Sequence, residues 1–130
     1  MRARPNDILS PMAVPPYNSE EIMRAMERGD YEFVLKSAMP YALAGHPDAQ
    51  CTIASVYEAG LGVQRDVIEA ERWLLKATAQ NSALAWHNLG TLYAVKHPAL
   101  EHRWSEVQKC WERAKELGFS CGDSYPPLQK

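Results

Sequence analysis

The chain has 130 residues, enough for one domain that buries roughly two-thirds of the surface its unfolded form exposes. With 46% apolar and 23% charged residues it lies in the ordinary globular range, which excludes wholesale disorder. A net charge of −2 with the two signs interspersed provides no basic field for a phosphate backbone, so no nucleic acid is expected as partner, and no apolar run is long enough to span a membrane.

Pro5, Pro11, Pro15 and Pro16 make residues 1–18 an extended arm, since each removes a backbone donor and pushes its predecessor toward extended geometry. Arg2 and Arg4 are followed by Pro5, Asn6 and Asp7, not by the apolar run of a targeting segment. Asn18 is placed to cap a first helix with Glu21 at its third position, and Tyr17 and Ile22 are spaced for a hydrophobic staple. That helix carries Ile22, Met23 and Met26 inward and stops at Gly29. Asp30 caps the second, which runs through Phe33, Val34, Ala38 and Tyr41 to Gly45, with Pro40 expected to kink or interrupt it.

Pro47 suits the first turn of a third helix with Ala49, Ile53, Val56 and Tyr57 on one face. Asp66 and Glu69 form a capping box for the fourth, in which Ala70, Trp73, Leu74 and Ala77 recur at helical spacing, and Glu71 falls on the exposed side. The fifth, around 83–95, buries Ala85, Trp86, Leu89, Leu92 and Tyr93. The sixth opens at Ser105 with Gln108 as box partner and closes at Gly118, where Phe119 folds back. Residues 119–130, with Gly122, Pro126 and Pro127, read as a second extended tail.

A period is visible in this order. Ala49, Ile53, Val56 and Tyr57 return 36 residues later as Ala85, Leu89, Leu92 and Tyr93. A repeat of this length built from two helices is the mark of an α-solenoid. The stretch "EAGLGVQRD" is then a helical hairpin turn: Gly60 and Gly62 take positive φ, Val63 plugs the gap and Asp66 caps the return helix. A phosphate loop would want lysine and a hydroxyl after the glycines, where Gln64 and Arg65 stand.

"AQCTIASVYEAGLGVQRDVIEAERWLLKATAQNS", residues 49–82, resembles the Sel-one-like repeat, a relative of the tetratricopeptide repeat, in its Ala, Tyr, Gly-x-Gly-Val, Asp, Ala, Trp and Lys-Ala positions. "ALAWHNLGTLYA", residues 83–94, resembles the first helix of the next repeat; after it the glycine turn is replaced by "VKHPALEHRW", and Cys110, followed by Trp111, stands where Trp73 stood. The fold expected is all-α: a right-handed α-solenoid of three helical hairpins over residues 19–118. The resemblance implies a non-enzymatic adaptor or regulator whose concave groove binds a protein or peptide. Carried onto this chain, the groove is lined by Asp48, Cys51, Thr52, Ser55 and Glu58, then by Leu84, His87, Asn88 and Thr91. An immunity or inhibitor protein that plugs a toxin or enzyme is the alternative within binding proteins.

Cys51 and His87 occupy equivalent positions in neighbouring repeats, so a Cys–His nucleophile pair is the catalytic alternative. No orienting third group accompanies them, and a packing cysteine beside a polar binding residue is the plainer reading. Cys51, Cys110 and Cys121 form no CxxC pair and leave one over in any disulfide scheme, which fits a reducing cytoplasm. His46, His87, His97 and His102 fall at no zinc spacing with them, and neither metal nor cofactor is expected. The arm segment "ILSPMAVPPY" is too apolar for a free linker, so Ile8, Leu9, Met12 or Tyr17 should pack on the chain's own helices or on a second copy, giving a homodimer.

Overall fold

The structure is a computed structural model and describes residues 16–95, 98, 100 and 104–119. Six α-helices follow one another: α1 (Ser19–Arg28), α2 (Tyr31–Leu43), α3 (Pro47–Ala59), α4 (Val67–Thr78), α5 (Ala83–Ala94) and α6 (Trp104–Glu116). No strand occurs among the described residues. The helices pair as hairpins α1–α2, α3–α4 and α5–α6; α2 then packs on α3, α4 on α5, and α3 touches α5 across the stack. This is an all-α solenoid. Ile8, Leu9, Met12, His97, His102, Cys121 and the C-terminal tail lie outside the described residues.

Local chemistry sets most helix ends. The side chains of Asn18, Asp30, Asp66 and Ser82 accept from the backbone N–H three residues on, at 3.0, 3.3, 3.0 and 3.1 Å, each satisfying a donor that the first turn leaves open. Gly29, Gly60 and Gly118 end α1, α3 and α6 with positive φ, and the Phe119 N–H closes the last of these on the Ala114 carbonyl at 2.9 Å. Asn81, at φ 60, turns the chain between α4 and α5 without a glycine, as the short polar side chain of asparagine permits.

The core is built on small residues. Ala38, Ala42, Ala49, Ala54, Ala70, Ala77 and Ala85 are fully buried and let helices approach closely, while Ile53, Leu92 and Val107 fill the space between them. Trp73, Leu89 and Tyr93 are buried as the repeat register requires, and Tyr57 is half-buried. A second cluster joins Ile22, Ala25, Val34 and Val56 to Leu61 and Val63, so the α3–α4 turn plugs onto the first hairpin.

Three expectations need correction. Met23 is 63% exposed, and Ala25 takes the inward position instead; a single-helix pattern cannot tell a core-facing methionine from one at the edge of a groove. Pro40 does not interrupt α2, which continues to Leu43. It sits on the exposed side, where the Lys36 carbonyl that loses its intrahelical donor is not trapped in the core. Ser105 is inside α6, not its cap, because the helix already begins at Trp104.

Gly62 carries a double constraint. Its φ is 70°, and a Cβ there would stand 2.9 Å from the Cβ of Tyr31 at the start of α2. Gly62→Val is therefore expected to cost about 1–2 kcal/mol from the backbone alone, and more from the clash. A thermal melt checks this; an unchanged midpoint would mean that the turn tolerates a side chain.

Candidate functional site

Between α1, α3 and α5 lies an open cavity of about 350 Å³. One wall is apolar and comes from α1: Ile22, Met23 and Met26. The facing wall is a row along α3 made by Asp48, Cys51, Thr52 and Ser55, at the three- and four-residue spacing that puts side chains on one helix face. Leu84 and Asn88 of α5 extend that row into the next hairpin.

The hydroxyls on this face are already oriented. Thr52 and Ser55 donate to the carbonyls of Asp48 and Cys51, one turn back, at 3.1 Å each. Tyr17 stands at the mouth, its hydroxyl 2.8 Å from the Thr52 Oγ1. Because Thr52 gives its one proton to the Asp48 carbonyl, Tyr17 is the donor. The Tyr17 ring lies 4.8 Å from that of His46 and 5.4 Å from that of Tyr41, and burial pushes its hydroxyl pKa up.

Of the groove residues expected from the sequence, Asp48, Cys51, Thr52, Ser55, Leu84 and Asn88 line this cavity together, and Glu58, His87 and Thr91 do not. Glu58 lies at the far end of α3, half-buried, its carboxyl raised by burial against the opposing charge of Arg65. His87 stacks on Phe119, with ring centroids 4.3 Å apart and planes 18° from parallel. Thr91 donates to the His87 carbonyl at 3.1 Å on the exposed side of α5. The α1 wall was not foreseen, because the periodicity of Ile22, Met23 and Met26 reads as core.

Cys51 has the surroundings of a packed thiol. Cys51 is 2% exposed, and burial pushes its thiol up to about 12, with a hydrogen bond to the Ser82 side chain lowering it only in part and the Asp48 charge raising it further. A reactive cysteine needs the opposite shift. Burial against Phe119 also pushes the His87 imidazole below its ordinary value. The unfolded chain then binds more protons than the folded one just below pH 6.5, so this contribution to stability is present above that pH and is lost as pH falls through the depressed folded pKa. Lowering the pH from about 7.5 to about 5.5 should cost the wild type more melting temperature than it costs His87→Gln. Equal losses would refute the assignment.

Two further polar links were invisible in the sequence. Gln50, 3% exposed, donates to the Ala42 carbonyl and accepts from the Gln80 side chain, both at 3.1 Å, joining the ends of α2 and α4. Glu71 is half-buried, contrary to the exposed position expected of it, and accepts the Tyr93 hydroxyl proton at 2.7 Å. Among the described residues no group of three or more His, Cys, Asp or Glu is arranged to hold a metal ion, and no helix is long and apolar enough to cross a membrane.

Among solved structures, the chain is similar to the crystal structure of a Sel1 repeat protein from Oxalobacter formigenes, with a TM-score of 0.62 and 27% sequence identity over 85% of this chain. The chain has a Sel1-like repeat fold. It spans 47% of the length of that protein. No protein-family model matches the chain, and no curated protein does.

Proposed function

We propose that the chain is a non-enzymatic interaction module, its repeat unit spanning residues 19–118, that binds an extended peptide of another protein in the groove between α1, α3 and α5. The carrying observation is the opposition of an apolar wall, Ile22, Met23 and Met26, to a polar row ending in Asn88. The first takes the side chains of a peptide, and the Asn88 carboxamide offers a donor and an acceptor to its backbone. A volume of about 350 Å³ suits a few side chains. The Sel1-like fold supports this reading, and the raised thiol of Cys51 speaks against Cys–His catalysis. The free cysteines Cys51 and Cys110 fit a reducing cytoplasm, and the absence of a net basic charge makes nucleic acid a poor partner.

The test selects peptides from a random library against the chain and measures their affinity for the Leu84→Glu, Asn88→Ala double variant. Both residues line the cavity, whereas His87, stacked on Phe119, is unsuited to a substitution meant to spare the fold. At least a tenfold loss is expected, about 1.4 kcal/mol or more, with helical circular dichroism unchanged. Full affinity would move the binding surface off this face.

A further inference from the structure

The hydroxyls of the α3 row have no proton left for a ligand. Thr52 and Ser55 give theirs to carbonyls of their own helix, and Tyr17 gives its proton to Thr52. What Thr52 and Ser55 can offer to the groove is therefore oxygen lone pairs. Asp48, at the head of the row, adds an exposed carboxylate that makes no ion pair or side-chain hydrogen bond among the described residues. No lysine or arginine lines the cavity among the described residues. The polar wall thus accepts hydrogen bonds and carries an unanswered negative charge.

The charges of the whole helices divide in the same way. α3 carries Asp48 and Glu58 and no basic residue, α5 carries no charged residue, and α1 carries three glutamates against two arginines, so the three helices around the groove have a net charge of −3. Both of those arginines are engaged, Arg24 with Glu20 and Arg28 with Asp30. In α2, α4 and α6 acids and bases balance helix by helix. The helical excess of negative charge therefore lies on the side of the solenoid that holds the groove, and it draws a cation there.

We infer that the groove selects an extended peptide in which a lysine or arginine stands next to an apolar residue. This rests on the peptide-binding reading of the groove and names the chemistry of its partner. Neighbouring side chains of an extended strand point to opposite sides, so the basic residue faces α3 while its neighbour faces α1. An ammonium or guanidinium brings only donors, which the Asp48 carboxylate and, one turn along, the Thr52 oxygen accept. The apolar neighbour covers Met23, which is 63% exposed. Methionine adapts to side chains of different shape, so the discrimination comes from the α3 wall. An acidic residue in place of the basic one would set a second negative charge beside Asp48 and lone pairs against lone pairs.

Peptides selected from a random library against the full chain are sequenced, and the tightest is titrated by fluorescence anisotropy, as selected and with its basic residue replaced by glutamine, against the parent and Asp48→Asn. Lysine or arginine beside an apolar residue should be enriched among the selected sequences. The glutamine peptide should bind the parent at least about threefold more weakly than the selected one, as loss of a partly solvated ion pair implies. On Asp48→Asn the two peptides should bind nearly alike, since the coupling belongs to the pair. No enrichment in basic residues, or the same loss on both proteins, overturns the proposal. The Leu84→Glu, Asn88→Ala variant separates the two readings. If the selected peptides lose affinity on it but show no preference for a basic residue or no dependence on Asp48, the partner chemistry falls and the groove stands. If they are indifferent to it, or if the library yields no binder, the groove reading falls as well.

Discussion

Trp73→Ala is expected to remove about 3–5 kcal/mol of stability, a large part of what a domain of this size possesses. Trp73 is 6% exposed in α4 and belongs to the main core cluster. The space left by the indole is walled by helices that already meet through alanines, so the surroundings have little freedom to collapse into it. The Lys76 ammonium, 4.6 Å from the ring centroid, loses its partner as well. One term opposes these. The buried Trp73 indole N–H has no hydrogen-bond partner among the described residues, so its removal relieves a desolvated donor. Trp73→Phe sets the two terms against each other, because it removes the N–H together with only part of the ring volume. It should cost clearly less than Trp73→Ala, since the cavity it leaves is smaller and the desolvated donor is gone. Chemical denaturation of both variants checks the pair, and a near-native midpoint for Trp73→Ala would contradict the repeat register.

Gly90→Val is expected to destabilise by about 3 kcal/mol, near the upper end for overpacking. Gly90 sits buried inside α5, where glycine is a poor helix former, so exchange for a better one would ordinarily stabilise by up to about 1 kcal/mol. Packing reverses the sign. A Cβ at Gly90 would stand 2.5 Å from Cδ1 of Trp111 and 3.1 Å from the Cβ of Cys110. The Trp111 indole is itself buried, and the Trp104 ring meets it edge-on at 5.8 Å. Relief therefore requires α6 to move as a body away from α5. Gly90→Ala should be destabilising too, but less so, because its propensity gain offsets part of the clash. A more stable Gly90→Ala protein, measured by denaturant midpoint, would show that α6 shifts at little cost.

The candidate site was half legible in the sequence. Asp48, Cys51, Thr52 and Ser55 were identifiable because once Ala49, Ile53 and Val56 are assigned to the core, the remaining face of α3 has to point elsewhere. The equivalent step on α5 found Leu84 and Asn88 but also took in His87, which Phe119 covers from beyond the end of α6. The α1 wall was misread for a related reason. Met23 and Met26 share an amphipathic pattern with Ile22, and that pattern records how apolar a helix face is, not whether another helix covers it.

The sequence by itself determined the six helices, the hairpin turns and the repeat. Their causes act over three or four residues: capping side chains at Asn18, Asp30 and Asp66, left-handed glycines at Gly29 and Gly60, and apolar residues at helical period. Tertiary structure alone decided which faces meet. Tyr17 reaches Thr52 across 35 residues, Gln50 meets Gln80 across 30, Tyr93 finds Glu71 across 22, and Trp111 closes over Gly90. Each of these contacts depends on the relative position of whole helices, which follows from the sum of many small packing contacts distributed over the core. No local rule encodes that sum, and the groove is the surface it leaves uncovered.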